Sequence, residues 1–360
     1  MTTDKYLLVW ERMGNYHVAR WRALQHRVGK ENAYAADLAA GDNLYGWKAD
    51  WAEDPQYSRL SDRKMEEGDL WTRFSAFKKL VKGENITTVA IAGYYRPELI
   101  AMLIWSKLTG RTVVLFAESW YGGNALLDKA KGLMLNTLCH LFFVSGSRAE
   151  KHFAGRLAIP ARKIKKGYSV VDNTFFEQAR VLRQANKELN KTILCVARFS
   201  PEKNLLMLLQ AFANTGLAVK GWKLRIVGGG PQKAELETLF KQIAGVELQD
   251  WVQHQELPQL YAEASIFVLP STFEPWGLVV NEAISAGLYC ICSEAVGAAP
   301  DLITPENGLL FEEEHMQSLI DSIVKGSRWA EAGDLKIKEL AAPYTLGAWA
   351  ETIANAAKRQ

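Results

Sequence analysis

Short apolar runs alternate along most of the chain with stretches of helical periodicity, and that alternation predicts parallel strands joined by crossover helices. In the first half, residues 6–10 (YLLVW), 87–92 (TTVAIA), 112–117 (TVVLFA) and 141–145 (LFFVS) read as strands. Between two of them, residues 96–110 read as an amphipathic helix, with Pro97 in its first turn and Gly110 as its stop. In the second half the strands are 192–197 (TILCVA), 223–228 (KLRIVG) and 265–270 (SIFVLP), separated by helices near 204–214, 232–243 and 257–264. A further short apolar strand, LYCIC, carries Cys290 and Cys292 at alternating positions. The stretch Ser271 to Gly287, STFEPWGLVVNEAISAG, predicts a helix from near Gly277 to Ser285. It is bracketed by Glu274 in the preceding loop and Glu282 inside the helix.

This pattern predicts an α/β protein of two doubly wound, Rossmann-like parallel-sheet domains facing a cleft, with ligands beyond the carboxyl ends of the strands. Length agrees: 360 residues suit about two domains. The charged stretch 175–191 precedes a fresh strand and suggests the boundary, giving domains 1–175 and 176–345. Residues 40–70, with Trp47, Trp51 and Tyr57 among many charges, read either as a long irregular insertion or as a substrate-shaping loop.

Charge changes the picture. The net value of +3 is unremarkable, yet residues 1–170 hold 26 Lys and Arg against 17 Asp and Glu, and the remainder holds 17 against 23. The basic half either meets something anionic or carries a solvated surface. Its segment 15–30 interleaves Arg20, Arg22, Arg27 and Lys30 with Trp21 and Leu24, which suits either a headgroup boundary or a core helix with a basic outer face. The four cysteines form no metal-ligand spacing and read as buried thiols in a reducing compartment. The start of the chain lacks a signal-peptide hydrophobic region, and no apolar run approaches the ~18 residues of a membrane span. The expected location is the cytoplasm, with peripheral association at the inner face of a membrane as an extension. Nothing in the pattern points to nucleic acid.

Candidate chemistry clusters at the predicted strand ends. Arg198 and Lys203, in VARFSPEKN, are cations where an anion would bind. The turn Gly228, Gly229, Gly230, Pro231 permits close backbone approach, either to a ligand or within an ordinary tight turn, and it matches neither a dinucleotide fingerprint nor a Walker loop. The first amides of the 277–285 helix, at Gly277, Leu278 and Val279, make an anion site suited to a diphosphate. Glu282, about one and a half turns further on, is placed to accept from a ribose diol, and Glu274 to reach a sugar on the other side.

These motifs resemble those of retaining glycosyltransferases of family 4, which have the GT-B architecture. ARFSPEKN, GGGP, ELPQLYAEASIFVLPS, FEPWGLVVNEAISAG and GAAPDLITPENGLLF occur in the family's order, and FVSGSRAEKHFAGRLAIPARKIKKGYSVVDNTFF resembles the segment leading to its domain junction. The resemblance implies that Arg198 and Lys203 bind the diphosphate and offset leaving-group charge, that Glu282 holds the ribose and that Glu274 contacts the donor sugar. It also implies that Trp276 and the amides of Gly277 to Val279 lie nearby, with Gly228 to Pro231 close to the nucleotide and the base near Gln249 to Val252. It implies no metal and no cofactor beyond the nucleotide-sugar substrate, UDP-linked in preference to GDP- or ADP-linked. The acceptor would be a glycan, a lipid-linked saccharide or a small molecule, and the last helix, 346–360, would cross back onto the first domain. Two departures stand out. Where the family often has a glycine-rich loop after the first strand, this chain has Gly14, Asn15 and His17, expected on the acceptor side. Where the family often has a histidine, this chain has Glu118, ahead of Gly122 and Gly123. That carboxylate either serves the site or pairs with a cation such as Lys129 or Arg148. The competing readings are a GT-B sugar-nucleotide epimerase or phosphorylase, and a non-catalytic sugar-nucleotide-binding partner in a polysaccharide assembly complex.

Overall fold

The computed structural model describes residues 4–39, 51–67, 69–184, 190–333, 337 and 339–359. The chain divides into two compact units, the first formed by residues up to Asp172 together with those from Ala342 onward, the second running from Asn173 to Ala341.

The first unit contains, in order, β1 (Tyr6–Trp10), α1 (Asn15–Val28), β2 (Ala33–Asp37), β3 (Tyr57–Arg59), α2 (Leu70–Gly83), β4 (Thr88–Ala92), α3 (Pro97–Leu108), β5 (Thr112–Ala117), α4 (Ala125–Leu138), β6 (Leu141–Val144), α5 (Ser147–Lys151) and β7 (Ile164–Lys166). Its strands form one parallel sheet in the order β3-β2-β1-β4-β5-β6-β7. Strands β1, β5 and β6 are buried along their whole length, which is why they read as continuous apolar runs. The strand order reverses between β1 and β4, so the loops leaving these strands open a crevice at the carboxyl edge of the sheet.

The second unit contains α6 (Asn173–Gln184), β8 (Thr192–Val196), α7 (Leu205–Thr215), β9 (Lys223–Val227), α8 (Lys233–Phe240), β10 (Val246–Gln249), α9 (Leu257–Ala262), β11 (Ile266–Leu269), α10 (Leu278–Ser285), β12 (Tyr289–Ser293), α11 (Ala299–Leu302), β13 (Gly308–Phe311) and α12 (Met316–Ala332). Its parallel sheet runs β10-β9-β8-β11-β12-β13, with the reversal between β8 and β11. All four cysteines of the chain are buried and unpaired, Cys139 in the first unit and the other three on β8 and β12. The last helix, α13 (Leu346–Ala354), belongs to the first unit. Trp349 is fully buried, with its ring 5.7 Å from that of Phe116, and the Tyr6 hydroxyl donates to the Ala354 carbonyl.

Three expectations gain detail. The described part of the charged stretch after residue 175 forms the body of α6, in the second unit, which begins at Asn173. Its arginines point inward, because the carboxyl end of α10 offers carbonyls that need donors. Arg180 donates to the carbonyls of Ile284, Ser285 and Ile337, and Arg183 to those of Gly287 and Tyr261. Burial lowers the Arg183 pKa to about 10. Second, α1 is a core helix with a basic outer face, exposed at His26 and Arg27. Arg20, Trp21 and Leu24 are buried, and Arg20 donates twice to the Val170 carbonyl. Arg22 and Lys30 pair with Asp54, and Arg27 with Glu351 of α13. Third, the described part of residues 40–70 is more regular than an insertion: Trp51 is buried, and Tyr57–Arg59 form the edge strand β3 beside β2. Trp47 lies outside the described residues.

Candidate functional site

In the second unit, the expected residues gather on the loops leaving β8, β9 and β11, around the switch in strand order. After β8, the chain turns through Pro201–Lys203, and Asn204 takes a left-handed φ of 52° to start α7. The Thr272 amide donates to the Glu202 carbonyl at 2.9 Å, tying this turn to the loop after β11. Across that tie, the Lys203 ammonium pairs with the Glu274 carboxylate, both side chains being mostly buried. Arg198 is exposed; its carbonyl accepts from the Ser200 amide, while its guanidinium makes no hydrogen bond or ion pair among the described residues and so can meet an incoming anion.

Glu274 is held by its own backbone. It bridges Val296, its carbonyl accepts from the Gly297 amide, and the Trp276 carbonyl accepts from that of Ala298. Gly297 allows this approach, since a Cβ there would lie 2.0 Å from the Pro275 oxygen. Gly277 starts α10 with a φ of +94°, where a side chain would be strained and would also crowd Glu274, Leu269 and Val296. No side chain caps this helix start, which leaves the amides of Leu278 and Val279 without an intrahelical acceptor. Trp276 points into the core, donating from its indole to Asn281 at 2.8 Å, and its ring is not on the surface as a contact for a ligand.

Glu282 is buried on α10, 1% exposed, so it is not a solvated mid-helix acid. It accepts from the Tyr261 hydroxyl of α9 at 2.6 Å. Nothing in the local sequence announces this partner, 21 residues away, because the pairing depends on how α9 and α10 pack.

The glycine turn has a structural reason of its own. A Cβ at Gly228 would lie 1.9 Å from the Ala197 oxygen, and one at Gly230 2.5 Å from that of Phe199. The Phe199 amide donates to the Gly229 carbonyl, and the Gln232 amide to that of Phe199. These glycines therefore press the turn onto the loop that carries Arg198. Pro231 is exposed beside them, and Trp251, 46% exposed, packs its indole against Gly229. The Gln249 carbonyl accepts from Gly228, and Val252 is half-buried. A hollow of about 80 Å³ beside Phe199, Leu248 and Gln249 adjoins this edge.

The first unit offers a smaller constellation after β1 and β5. Gly14 precedes α1 in extended backbone, with Asn15 as the first helical residue. The Gly14 amide donates to Nδ1 of His17 at 3.1 Å, and the His17 ring lies 4.9 Å from that of Trp10. Close packing of the ring, then the Arg20 charge, pushes the imidazole pKa down to about 3. His17 is therefore neutral near pH 7, with its proton on Nε2. After β5, Glu118 is half-buried and accepts from the Ser169 hydroxyl at 2.6 Å. Its partner is that hydroxyl and neither Lys129 nor Arg148, whose guanidinium lies over the Trp120 ring. Ser169 adjoins Tyr168, which burial pushes up to about 12 and which accepts from the Trp10 indole. Sequence reasoning missed Ser169 as it missed Tyr261.

Residues 178–327 match the model of the family described as glycosyl transferases group 1. The chain is 35% identical over 139 residues to an exopolysaccharide phosphotransferase of Streptomyces coelicolor, covering 37% of this chain and 14% of that protein. It is 32% identical over 154 residues to the sulfoquinovosyl transferase of Arabidopsis thaliana, covering 41% of this chain and 29% of that protein. In both cases the matched stretch spans less than a third of the relative's length. Among solved structures, Anabaena HepE in complex with UDP and glucose superposes with a TM-score of 0.70 at 16% identity, covering 99% of this chain and 100% of that one. The likeness extends through both units and is one of fold. The second unit therefore carries the glycosyl transferases group 1 pattern, and the chain as a whole has the two-domain GT-B fold.

Proposed function

We propose that the protein is a retaining, metal-independent glycosyltransferase. It moves a sugar from a nucleoside diphosphate donor, UDP-linked in preference to GDP- or ADP-linked, to a saccharide, lipid-linked or small-molecule acceptor in polysaccharide or glycoconjugate biosynthesis in the cytoplasm. The observation that carries this reading is the grouping of the Lys203–Glu274 pair, exposed Arg198 and the uncapped start of α10 at one switch point, with buried Glu282 further along the same helix. A diphosphate seated on the amides of Leu278 and Val279 would meet Lys203 and Arg198, whose charge grows in value as the leaving phosphate becomes more anionic. Glu282, with capacity beyond the bond from Tyr261, would accept from the ribose diol. Glu274 would contact the donor sugar. The acceptor hydroxyl would attack on the face that the diphosphate leaves, giving its proton to the departing phosphate oxygen. The protein's contribution is then positioning and electrostatics, without a protein nucleophile. On the acceptor side, Gly14, Asn15 and neutral His17 would supply uncharged hydrogen-bonding groups, and Glu118 would orient a sugar hydroxyl or stabilise positive charge at the anomeric carbon.

The test is a panel of nucleotide sugars, first by thermal shift and then by turnover, with the product's anomeric configuration read by NMR. A cognate donor should raise the melting temperature, since saturation at about a hundredfold over Kd stabilises by about 2.7 kcal/mol. Activity should survive chelator. An inverted product, a strict divalent-metal requirement, or donor turnover to an epimer without acceptor would each overturn the proposal.

A further inference from the structure

One side of the first unit is apolar and cationic at once. A right-handed crossover places α2, α3 and α4, which connect strands in one direction, on the same face of the sheet, and α1 on the other. The helices pack α2 on α3 and α3 on α4. Their outer surfaces present Trp71, Leu108, Leu126, Leu127 and Leu133, each between 67% and 80% exposed. On α4 the usual arrangement is reversed. Asp128, Gly132 and Leu135 face inward, while Leu126, Ala130 and Leu133 share the outer stripe. Asp128 is withdrawn because Arg156 and Lys131 pair with it beneath that surface.

The charge on the same three helices has one sign. They carry six lysines, Lys78, Lys79, Lys82, Lys107, Lys129 and Lys131, and their only acids, Glu98 and Asp128, are buried in ion pairs. A second copy docked here about a twofold axis would set lysine against lysine. An anionic bilayer surface instead accepts leucine and tryptophan into its headgroup boundary and pairs the lysines with lipid phosphates. We infer that the α2–α3–α4 face of the first unit docks on an anionic membrane surface. This inference is independent of the transfer reaction, and it assigns the contact to a different face from α1.

The test is co-sedimentation of the full chain with vesicles of phosphatidylcholine, with and without phosphatidylglycerol, at low and high salt. The protein should pellet with the anionic vesicles only, and release at high salt. Leu126→Ser with Leu133→Ser should weaken binding on the order of tenfold, and each of Lys79→Glu, Lys82→Glu and Lys129→Glu by about fivefold or more. All five positions are exposed, so melting temperatures should stay unchanged and certify the fold. Equal recovery in the supernatant under all conditions would overturn the inference, as would unaltered binding by the variants. So would a concentration-dependent dimer that the leucine variant abolishes while vesicle binding persists.

Discussion

Two helices start beside the switch points of the two sheets, and they differ in the charge that surrounds them. α10 begins at a glycine with a left-handed φ, no side chain caps it, and the Lys203–Glu274 ion pair flanks it. α1 begins at an extended glycine whose own amide is taken by His17, a ring that packing keeps neutral. One helix start is open and charged, suited to a phosphate group. The other also lacks a side-chain cap, but a neutral imidazole stands beside it in place of an ion pair. The same strand-loop-helix geometry thus recurs in both units, and a few side chains set the charge at each.

The strongest way to break the comparison is at the charged end. Lys203→Ala should lower kcat on the order of 10²–10³-fold, and should also lower the melting temperature, because it strands the mostly buried Glu274 carboxylate. Arg198→Ala should lower kcat without that thermal cost, since the Arg198 side chain is exposed and makes no ion pair among the described residues. Steady-state kinetics with calorimetric melting separates the two, and near-normal rates in both variants would end the electrostatic account.

Glu118→Gln sharpens the contrast at the other unit. It keeps the shape and the bond from Ser169 but removes the charge. Under a catalytic role kcat should fall about 10²-fold, near 2.7 kcal/mol, with nucleotide affinity unchanged. Normal turnover with a reduced melting temperature would leave Glu118 a structural partner of Ser169. Glu282→Ala should act on binding, costing about 1.5–3 kcal/mol of affinity for the nucleoside diphosphate in titration calorimetry. Unchanged affinity would remove Glu282 from the site, whatever stability is lost with the bond from the Tyr261 hydroxyl.

The smallest effect tests the helix start of α1. The His17 pKa is depressed in the folded protein, so below its ordinary value near 6.5 the unfolded chain binds a proton that the folded chain refuses. The stabilisation is therefore whole above about pH 6.5 and is lost as pH falls towards 3. The melting-temperature advantage of wild type over His17→Gln should shrink between pH 7.5 and pH 5. A constant difference would show that His17 titrates normally.

How far each unit was legible follows from what its residues do locally. The central strands were readable because both faces are buried and the runs are continuously apolar. The shorter β3, β7 and β10 were not, because edge or near-edge positions tolerate polar residues such as those of YSR, IKK and VELQ. β2, AYAAD, is alanine-rich and lacks a strand signature, although every residue is buried. Helix α6 reads only as a domain boundary because its arginines are polar letters, and only packing shows Arg180 satisfying the carbonyls at the end of α10. The basic, tryptophan-bearing α1 had a surface composition and a core location, while the exposed leucines of α4 had a core composition and a surface location.

By itself the sequence determined the α/β class, the two parallel sheets, and which loops carry the cations, glycines and acids. Those properties reside in short windows, where apolar periodicity and turn chemistry act within a few residues. Only the tertiary structure decided that Lys203 meets Glu274 across 71 positions, Tyr261 meets Glu282 across 21 and Ser169 meets Glu118 across 51. It also decided that the glycines of residues 228–230 serve the chain's own backbone. The physical reason is that a hydrogen bond or ion pair needs its partners within about 3 Å. Which side chains come that close depends on strand order and on the packing of helices far apart in the chain.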